Sequence, residues 1–286
     1  MKTLIKYILF KTLLGLFFTL GKILKKEQLP KVAEFIGNFI FILPWTRKKI
    51  AMNNINIAFG SEHEPKRLTK KFFKEVILIA LEVAYIVKKG DKFSNYVSAK
   101  GLEYLDEALK HGRGVIAISG HIGNIILMFG WFAEKGYPVA ILFKEGKYLP
   151  RGFLFNLIKR YNAYPIPFRS DKEVPKEIIR ALNKNMIVFI LADQSRPGVY
   201  AKFFGKYVQC QKGAFVIAQR KGSPVVPVFI VRGKNGHEIK IFPEILLNKD
   251  IERLIEEYNS ILENLIRQYP EQYYWFHRRF KKMKHH

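Results

Sequence analysis

The run Gly114-Val-Ile-Ala-Ile-Ser-Gly-His-Ile-Gly-Asn-Ile-Ile-Leu-Met128 constrains the fold more than any other stretch. A short, continuously apolar segment reads as a strand buried on both faces, which is the habit of a parallel sheet covered by helices. It ends in a Gly/Asn-rich turn and a new helix, so His121 is delivered to the carboxyl end of a strand. Open α/β sheets place ligands in that position, and an imidazole there can exchange a proton near neutral pH. A second strand-to-loop signature, Ile187-Val-Phe-Ile-Leu-Ala-Asp193-Gln194, repeats the pattern.

Around these two runs the chain alternates. Short β-rich stretches at Val115–Ser119, Val139–Phe143, Tyr164–Pro167, Met186–Ala192, Val225–Val231 and Glu238–Ile241 are separated by helical patterns from about Asn124, near Phe153–Tyr161, from about Val174 to Asn183, and near Gly213–Lys221. Arg47 to Lys89 reads as two or three helices ahead of the sheet, and Asp250–Tyr269 as a terminal helix that stops before Pro270. The expected fold is α/β, with a mostly parallel sheet flanked by helices and a helical membrane anchor at the N-terminus. The expected division is a membrane-associated helical region over 1–44 and one α/β domain over 45–286.

Charge narrows the partners. Lys and Arg number 49 against 24 Asp and Glu, a net charge of +25, which suits an anionic membrane, an acidic protein or nucleic acid. The single cysteine, Cys210, excludes an intrachain disulfide and any thiolate metal cluster. The apolar block Leu13–Leu20, flanked by Lys6, Lys11, Lys22, Lys25 and Lys26, spans a bilayer or lies in its interface. Phe35–Pro44 is a second membrane-facing candidate or a core helix. The heavier cationic load after the first block would keep the body of the protein cytoplasmic. No phosphate-binding Gly-Lys-Ser/Thr loop, dinucleotide fingerprint, Gly-x-Ser-x-Gly elbow, His-Glu-x-x-His pair, zinc finger or RNA-recognition motif is present. Nucleic acid is therefore not expected as a partner.

Five blocks then occur in a telling order: Arg47-Lys-Lys-Ile-Ala-Met-Asn-Asn-Ile-Asn-Ile-Ala-Phe59, Ser119-Gly-His-Ile-Gly-Asn124, Ala192-Asp-Gln-Ser-Arg-Pro-Gly-Val199 leading to Phe203-Phe-Gly205, Gly222-Ser-Pro-Val-Val-Pro-Val-Phe229, and Tyr274-Trp-Phe-His-Arg-Arg-Phe280. Together they resemble the bacterial lipid A late acyltransferases over nearly the whole chain. The resemblance implies an enzyme on the cytoplasmic face of the inner membrane. It would move an acyl chain from acyl carrier protein, or from coenzyme A, to a hydroxyl of an anionic lipid A precursor or related glycolipid, with no cofactor or metal. A thioester is already activated, so a histidine base that deprotonates the acceptor, with help to the oxyanion, is sufficient chemistry.

One departure from the family matters. The acidic residue that follows the family's histidine, orienting the imidazole and stabilising its charged form, is replaced here by Ile126, and the neighbouring Trp by Ile125. Another carboxylate serves, the histidine works unassisted, or the chain has lost catalysis and binds lipid. Asp193 is the best substitute, because it ends a strand and would emerge beside His121 if the two strands are neighbours; a loop-capping aspartate is the alternative. Asn124 pins the turn or contacts substrate. Arg196, beside Pro197-Gly198, suits a phosphate or a pantetheine arm, and Lys144, Arg151 and Arg169 extend a basic rim for substrate. Phe203 and Phe204 wall an acyl channel or fill the core, and the tail from His277 contacts anionic lipid.

Overall fold

The computed structural model describes residues 12, 15–43, 46–144, 152–168, 170 and 172–284. After a helix over residues 15–23 (α1), the order is α2 (Leu29–Ile42), α3 (Thr46–Phe59), α4 (Pro65–Lys89), β1 (Val97–Lys100), α5 (Leu102–Lys110), β2 (Val115–Ser119), α6 (Ile125–Glu134), β3 (Val139–Phe143), α7 (Phe153–Arg160), β4 (Tyr164–Pro167), α8 (Glu173–Asn183), β5 (Ile187–Leu191), β6 (Val199–Phe203), β7 (Lys206–Cys210), α9 (Gly213–Lys221), β8 (Val225–Gly233), β9 (Gly236–Ile241) and α10 (Ile251–Gln268).

The main sheet has the order β1-β9-β8-β2-β5-β3-β4, with only the β8–β9 pair antiparallel. Every residue of β2 is buried, which is why it reads as an uninterrupted apolar run rather than an alternating one. Helices cover both faces, and the sheet separates two large core clusters, with a third, smaller one between α2 and α4. One large cluster contains Ile116, Ile118, Ile190, Phe229 and Leu262, the other Ala117, Phe132, Phe189 and Ile230. Alternate residues of β2 serve opposite large clusters, as a period of two requires.

Four elements, β1, α5, β6 and β7, escaped the sequence pattern. The strand β1 is a short edge with three of its four residues at intermediate or greater exposure, and α5 follows it after Gly101, whose added Cβ would come within 2.3 Å of the Ile241 carbonyl. The hairpin β6–β7 turns at Phe204-Gly205, both at positive φ (49° and 66°), the mirror-image turn that fits strand twist but here lacks the usual Asn-Gly signal. Phe203 and Phe204 are buried in the core and do not line the cavity described below.

The N-terminal region differs from expectation. No helix among the described residues is long and apolar enough to cross a membrane, so an anchor of that kind is not supported; residues 13 and 14 of the first apolar block, with Lys6 and Lys11, lie outside the described residues. The second block is divided by its own geometry. One stripe of α2, Leu29, Ala33 and Gly37, packs on α4, and Gly37 permits the contact because a Cβ there would lie 3.0 Å from the Lys74 backbone. The opposite stripe, Phe35, Phe39 and Ile42, stays exposed at 76%, 62% and 77%.

Candidate active site

Strand register builds the site. β2 and β5 are parallel neighbours with Ser119 beside Leu191, so the residue two places beyond each end, His121 and Asp193, meets its counterpart at the same sheet edge. His121 Nδ1 lies 2.6 Å from Asp193 Oδ1, and the His121 backbone N–H donates to Oδ2 at 3.0 Å. The carboxylate thus fixes both the ring and the backbone from which it springs, and the tautomer it selects carries the proton on Nδ1 and leaves Nε2 as an acceptor. The Gln194 amide nitrogen stands 3.3 Å from that Nε2, within hydrogen-bond reach of it.

The turn that carries His121 is locked from three sides. Gly123 has φ +64°, and a Cβ there would lie 2.1 Å from the Ile230 carbonyl, so only glycine fits. Asn124 is fully buried; its side-chain oxygen caps α6 by accepting from the Leu127 N–H, and its amide donates to Glu82 Oε2 at 3.2 Å. The segment after α10 closes the third side: the Tyr274 N–H donates to the His121 carbonyl at 2.8 Å, and the Gly123 N–H to the Gln272 carbonyl at 3.0 Å. Below, the buried Tyr258 hydroxyl donates to the Ser119 carbonyl at 2.8 Å.

Electrostatics follow from burial and pairing. Burial disfavours the His121 imidazolium, but the charge and hydrogen bond of Asp193 outweigh it and raise the pKa above the ordinary histidine value. Burial works against the Asp193 carboxylate too, yet His121 holds its pKa well below the usual range. A second histidine, His277, approaches the same carboxylate with Nε2 3.8 Å from Oδ2. Burial drives its pKa down to about 4, so it faces Asp193 as a neutral ring. His121, Asp193 and His277 have ligand atoms close enough together to hold a metal ion. The 2.6 Å bond within that set already engages His121 Nδ1, while His277 Nε2 is buried without a hydrogen-bond partner.

His121 opens onto a cavity of about 430 Å³. Its walls are apolar: Ile125, Ile126 and Phe129 from α6, with Val83, Phe93 and Ile158 farther in. Gln194, Arg196 and Lys144 line it as polar side chains, with His121, Gln211 and Tyr161. Ile126 is 39% exposed and lies on this wall, so the position that carries an acid in the family is here part of an apolar lining. Arg196 stacks its guanidinium 4.7 Å over Phe168, and Lys144 lies 5.9 Å over the same ring. Arg151, Arg169 and Glu145 lie outside the described residues. Glu134 is accounted for elsewhere, accepting from the Phe93 and Ser94 backbone. Sequence reasoning assigned no role to Gln194 or Tyr258 and read His277 only as part of a lipid-binding tail. The order of the motif blocks carried the signal for His277, but only folding brings the tail onto the β2–β5 edge.

The family model for bacterial lipid A biosynthesis acyltransferases matches residues 3–282. The chain is 26% identical over 286 aligned positions to a lipid A biosynthesis palmitoleoyltransferase of Escherichia coli K12, covering 92% of this chain and 90% of the relative. It is 24% identical to a lipid A biosynthesis lauroyltransferase of the same organism, covering 82% and 79%, and 22% identical to lipid A biosynthesis acyltransferase 2 of Shigella flexneri, covering 90% and 87%. With a whole-chain family match laid over a histidine–aspartate pair at the mouth of an apolar cavity, this protein belongs to the bacterial lipid A biosynthesis acyltransferase family.

Proposed function

We propose that this chain transfers a fatty acyl group from a thioester donor, acyl carrier protein or coenzyme A, to a hydroxyl of a lipid A precursor, with His121 as general base and Asp193 as its partner. One observation carries the reading: the imidazole is pinned to a buried carboxylate at 2.6 Å and opens onto an apolar cavity of about 430 Å³. Nε2 takes the acceptor proton as the hydroxyl oxygen attacks the thioester carbonyl. The tetrahedral intermediate collapses with cleavage of the carbon–sulfur bond, and the proton passes from Nε2 to the departing sulfur. The acyl chain occupies the apolar cavity. Gln194 and Arg196 stand at its mouth as donors for the developing oxyanion, with Lys144 beside them and Arg151 and Arg169 assigned to the same basic rim. Asn124 acts by holding the turn.

The reaction takes place at the cytoplasmic face of the inner membrane. Residues 1–44 form the membrane-associated region, and Phe35, Phe39 and Ile42 are its lipid-facing stripe, with the exposed Lys22, Lys25 and Lys31 available to anionic headgroups. The other reading, a lipid-binding relative without chemistry, draws on Ile126 in place of the family's acid. Incubating the protein with a labelled acyl group on acyl carrier protein or coenzyme A and a lipid A precursor decides between them. Labelled product that disappears in His121→Ala supports the acyltransferase; lipid binding without product from either donor supports the alternative.

A further inference from the structure

A second pocket, of about 210 Å³, lies on the other side of Gln194 and Arg196 from the apolar cavity. Its character is opposite. Arg196, Arg278, Lys281 and Lys282 line it with Gln209 and Ser195, and no carboxylate is among its walls. Among the described residues no acidic side chain lies within ion-pair distance of those four cations.

The fold holds this concentration of charge in place. Arg279 and Phe280, between the pocket's cations, are buried at 1% and 3% exposure. The Arg279 guanidinium donates to the Gln209 carbonyl at 3.0 Å and to Cys210 Sγ at 3.1 Å, and lies 4.6 Å over the Phe203 ring. The Gln209 N–H donates to the Lys282 carbonyl, the Lys284 N–H to the Tyr207 carbonyl, and Met283 bridges to Val208, so the tail is laid along β7. On the facing wall Gly198 approaches β7 so closely that a Cβ would lie 2.0 Å from the Cys210 carbonyl, which fixes the loop bearing Arg196. A tail serving only as a diffuse membrane contact would need neither anchor.

We infer that this pocket binds a phosphate ester of a substrate while the acyl chain fills the apolar cavity, the two held on either side of Gln194 and Arg196. Several cations without a compensating acid suit a dianionic or bridging phosphate group better than a single carboxylate, and the arginines supply planar pairs of donors. The inference rests on the acyltransferase reading for which substrate is held. The chemistry has two sources there: a phosphate on the lipid A precursor, or the phosphodiester of the donor's pantetheine arm.

The test uses the full chain with Arg278→Gln and with the double variant Lys281→Gln/Lys282→Gln, all three positions being exposed. KM is measured for the acceptor with and without its phosphates, and for the donor against an acyl-pantetheine thioester lacking phosphate. The wild type is expected to prefer one phosphorylated substrate, and each cation removed to raise that KM roughly fivefold, with kcat retained and the preference for phosphate reduced. A change confined to the acceptor arm assigns the pocket to the lipid, and one confined to the donor arm to the pantetheine. Unaltered KM and phosphate preference in both variants would overturn the inference. Titration of wild type and variants with inorganic phosphate, followed by ³¹P line broadening, keeps the test separate from turnover. If the wild type makes no product, the acyltransferase reading fails, while weaker phosphate binding in the variants still supports an anion pocket and equal binding rejects it.

Discussion

Two buried histidine–carboxylate clusters lie on opposite sides of the turn at residues 119–124, and they are built for different ends. In the first, His121 meets Asp193 with no arginine among the described residues paired to the carboxylate, and the imidazole keeps 22% of its side-chain surface accessible at the cavity mouth. In the second, His237 Nε2 lies 3.2 Å from Glu82 Oε2, but Arg232 also binds Glu82 with both terminal nitrogens and Glu75 through Nε at 3.1 Å, and His237 is 3% exposed. Burial opposes the Glu82 charge, but His237 and Arg232 bring its pKa down to about 2, whereas burial prevails at Glu75 and raises it. The second cluster ties α4 to β8 and β9 and receives the Asn124 amide; its charges are satisfied and enclosed. The difference teaches that a histidine–acid pair becomes a candidate for chemistry when its ring reaches a cavity, and a brace when the ring is enclosed and its carboxylate is shared with an arginine.

The comparison breaks most visibly by removing each histidine's or acid's working group in turn. His121→Ala is expected to lower transfer roughly 10²- to 10⁴-fold, with a thermal unfolding midpoint close to that of the wild type. Activity within a few-fold of wild type would remove His121 from the chemistry. Glu82→Ala is expected to do the reverse. It leaves Arg232 without its main partner in a partly buried site and should cost about 3 kcal/mol of stability, read from denaturant unfolding, while the folded fraction keeps turnover within an order of magnitude. A stable Glu82→Ala protein with no turnover would show that the brace belongs to the catalytic apparatus.

A smaller effect separates the pair by pH. His121 must be neutral to accept a proton, so kcat/KM falls as pH drops through its raised pKa. Asp193→Asn removes the charge that raises it and leaves burial, so the acidic limb of the remaining activity should move to lower pH. For stability the sign runs the other way. The raised His121 pKa contributes stability that is complete below its unfolded value of 6.5 and is lost as pH rises through the folded value. The depressed Asp193 contributes above its unfolded value of 3.8 and loses that contribution only as pH falls toward the folded value. The stability gap between wild type and Asp193→Asn should therefore be widest between these two unfolded values and narrow as pH rises through the folded His121 pKa. An unmoved acidic limb would separate Asp193 from the titration.

The smallest expected effect concerns Ile126. Because it lines the apolar cavity while Asp193 already engages Nδ1, Ile126→Glu should leave kcat no higher and raise donor KM roughly tenfold, the effect of a charge next to the acyl chain. A clear rise in kcat would instead mark His121 as short of an acidic partner.

Much of this site was legible in the sequence because strand ends announce themselves. Val115–Ser119 and Ile187–Leu191 are buried apolar runs broken by polar turns, and once both are read as parallel strands, His121 and Asp193 fall at equivalent ends. That the strands are adjacent was a condition the sequence could only pose, since sheet order is set by the packing of helices between them. The brace was invisible for a related reason: Glu75, Glu82, Arg232 and His237 are scattered charged residues until α4 is laid against β8 and β9. The edge strand β1 and the hairpin turn at Phe204-Gly205 lacked the burial and the turn residues that pattern reading depends on. The apolar N-terminal blocks were legible as apolar but not as divided between a helix-packing stripe and an exposed one, because that division depends on where α4 lies.

The most direct test of the central claim, that His121 and Asp193 act as one unit, is a double-mutant cycle on acyl transfer with His121→Ala, Asp193→Asn and the two combined. Groups that act as a unit are strongly non-additive. The account predicts that each single variant loses a large and similar share of turnover and that the combination is scarcely worse than either. Near-normal transfer by Asp193→Asn, or losses that multiply in the double variant, would contradict it.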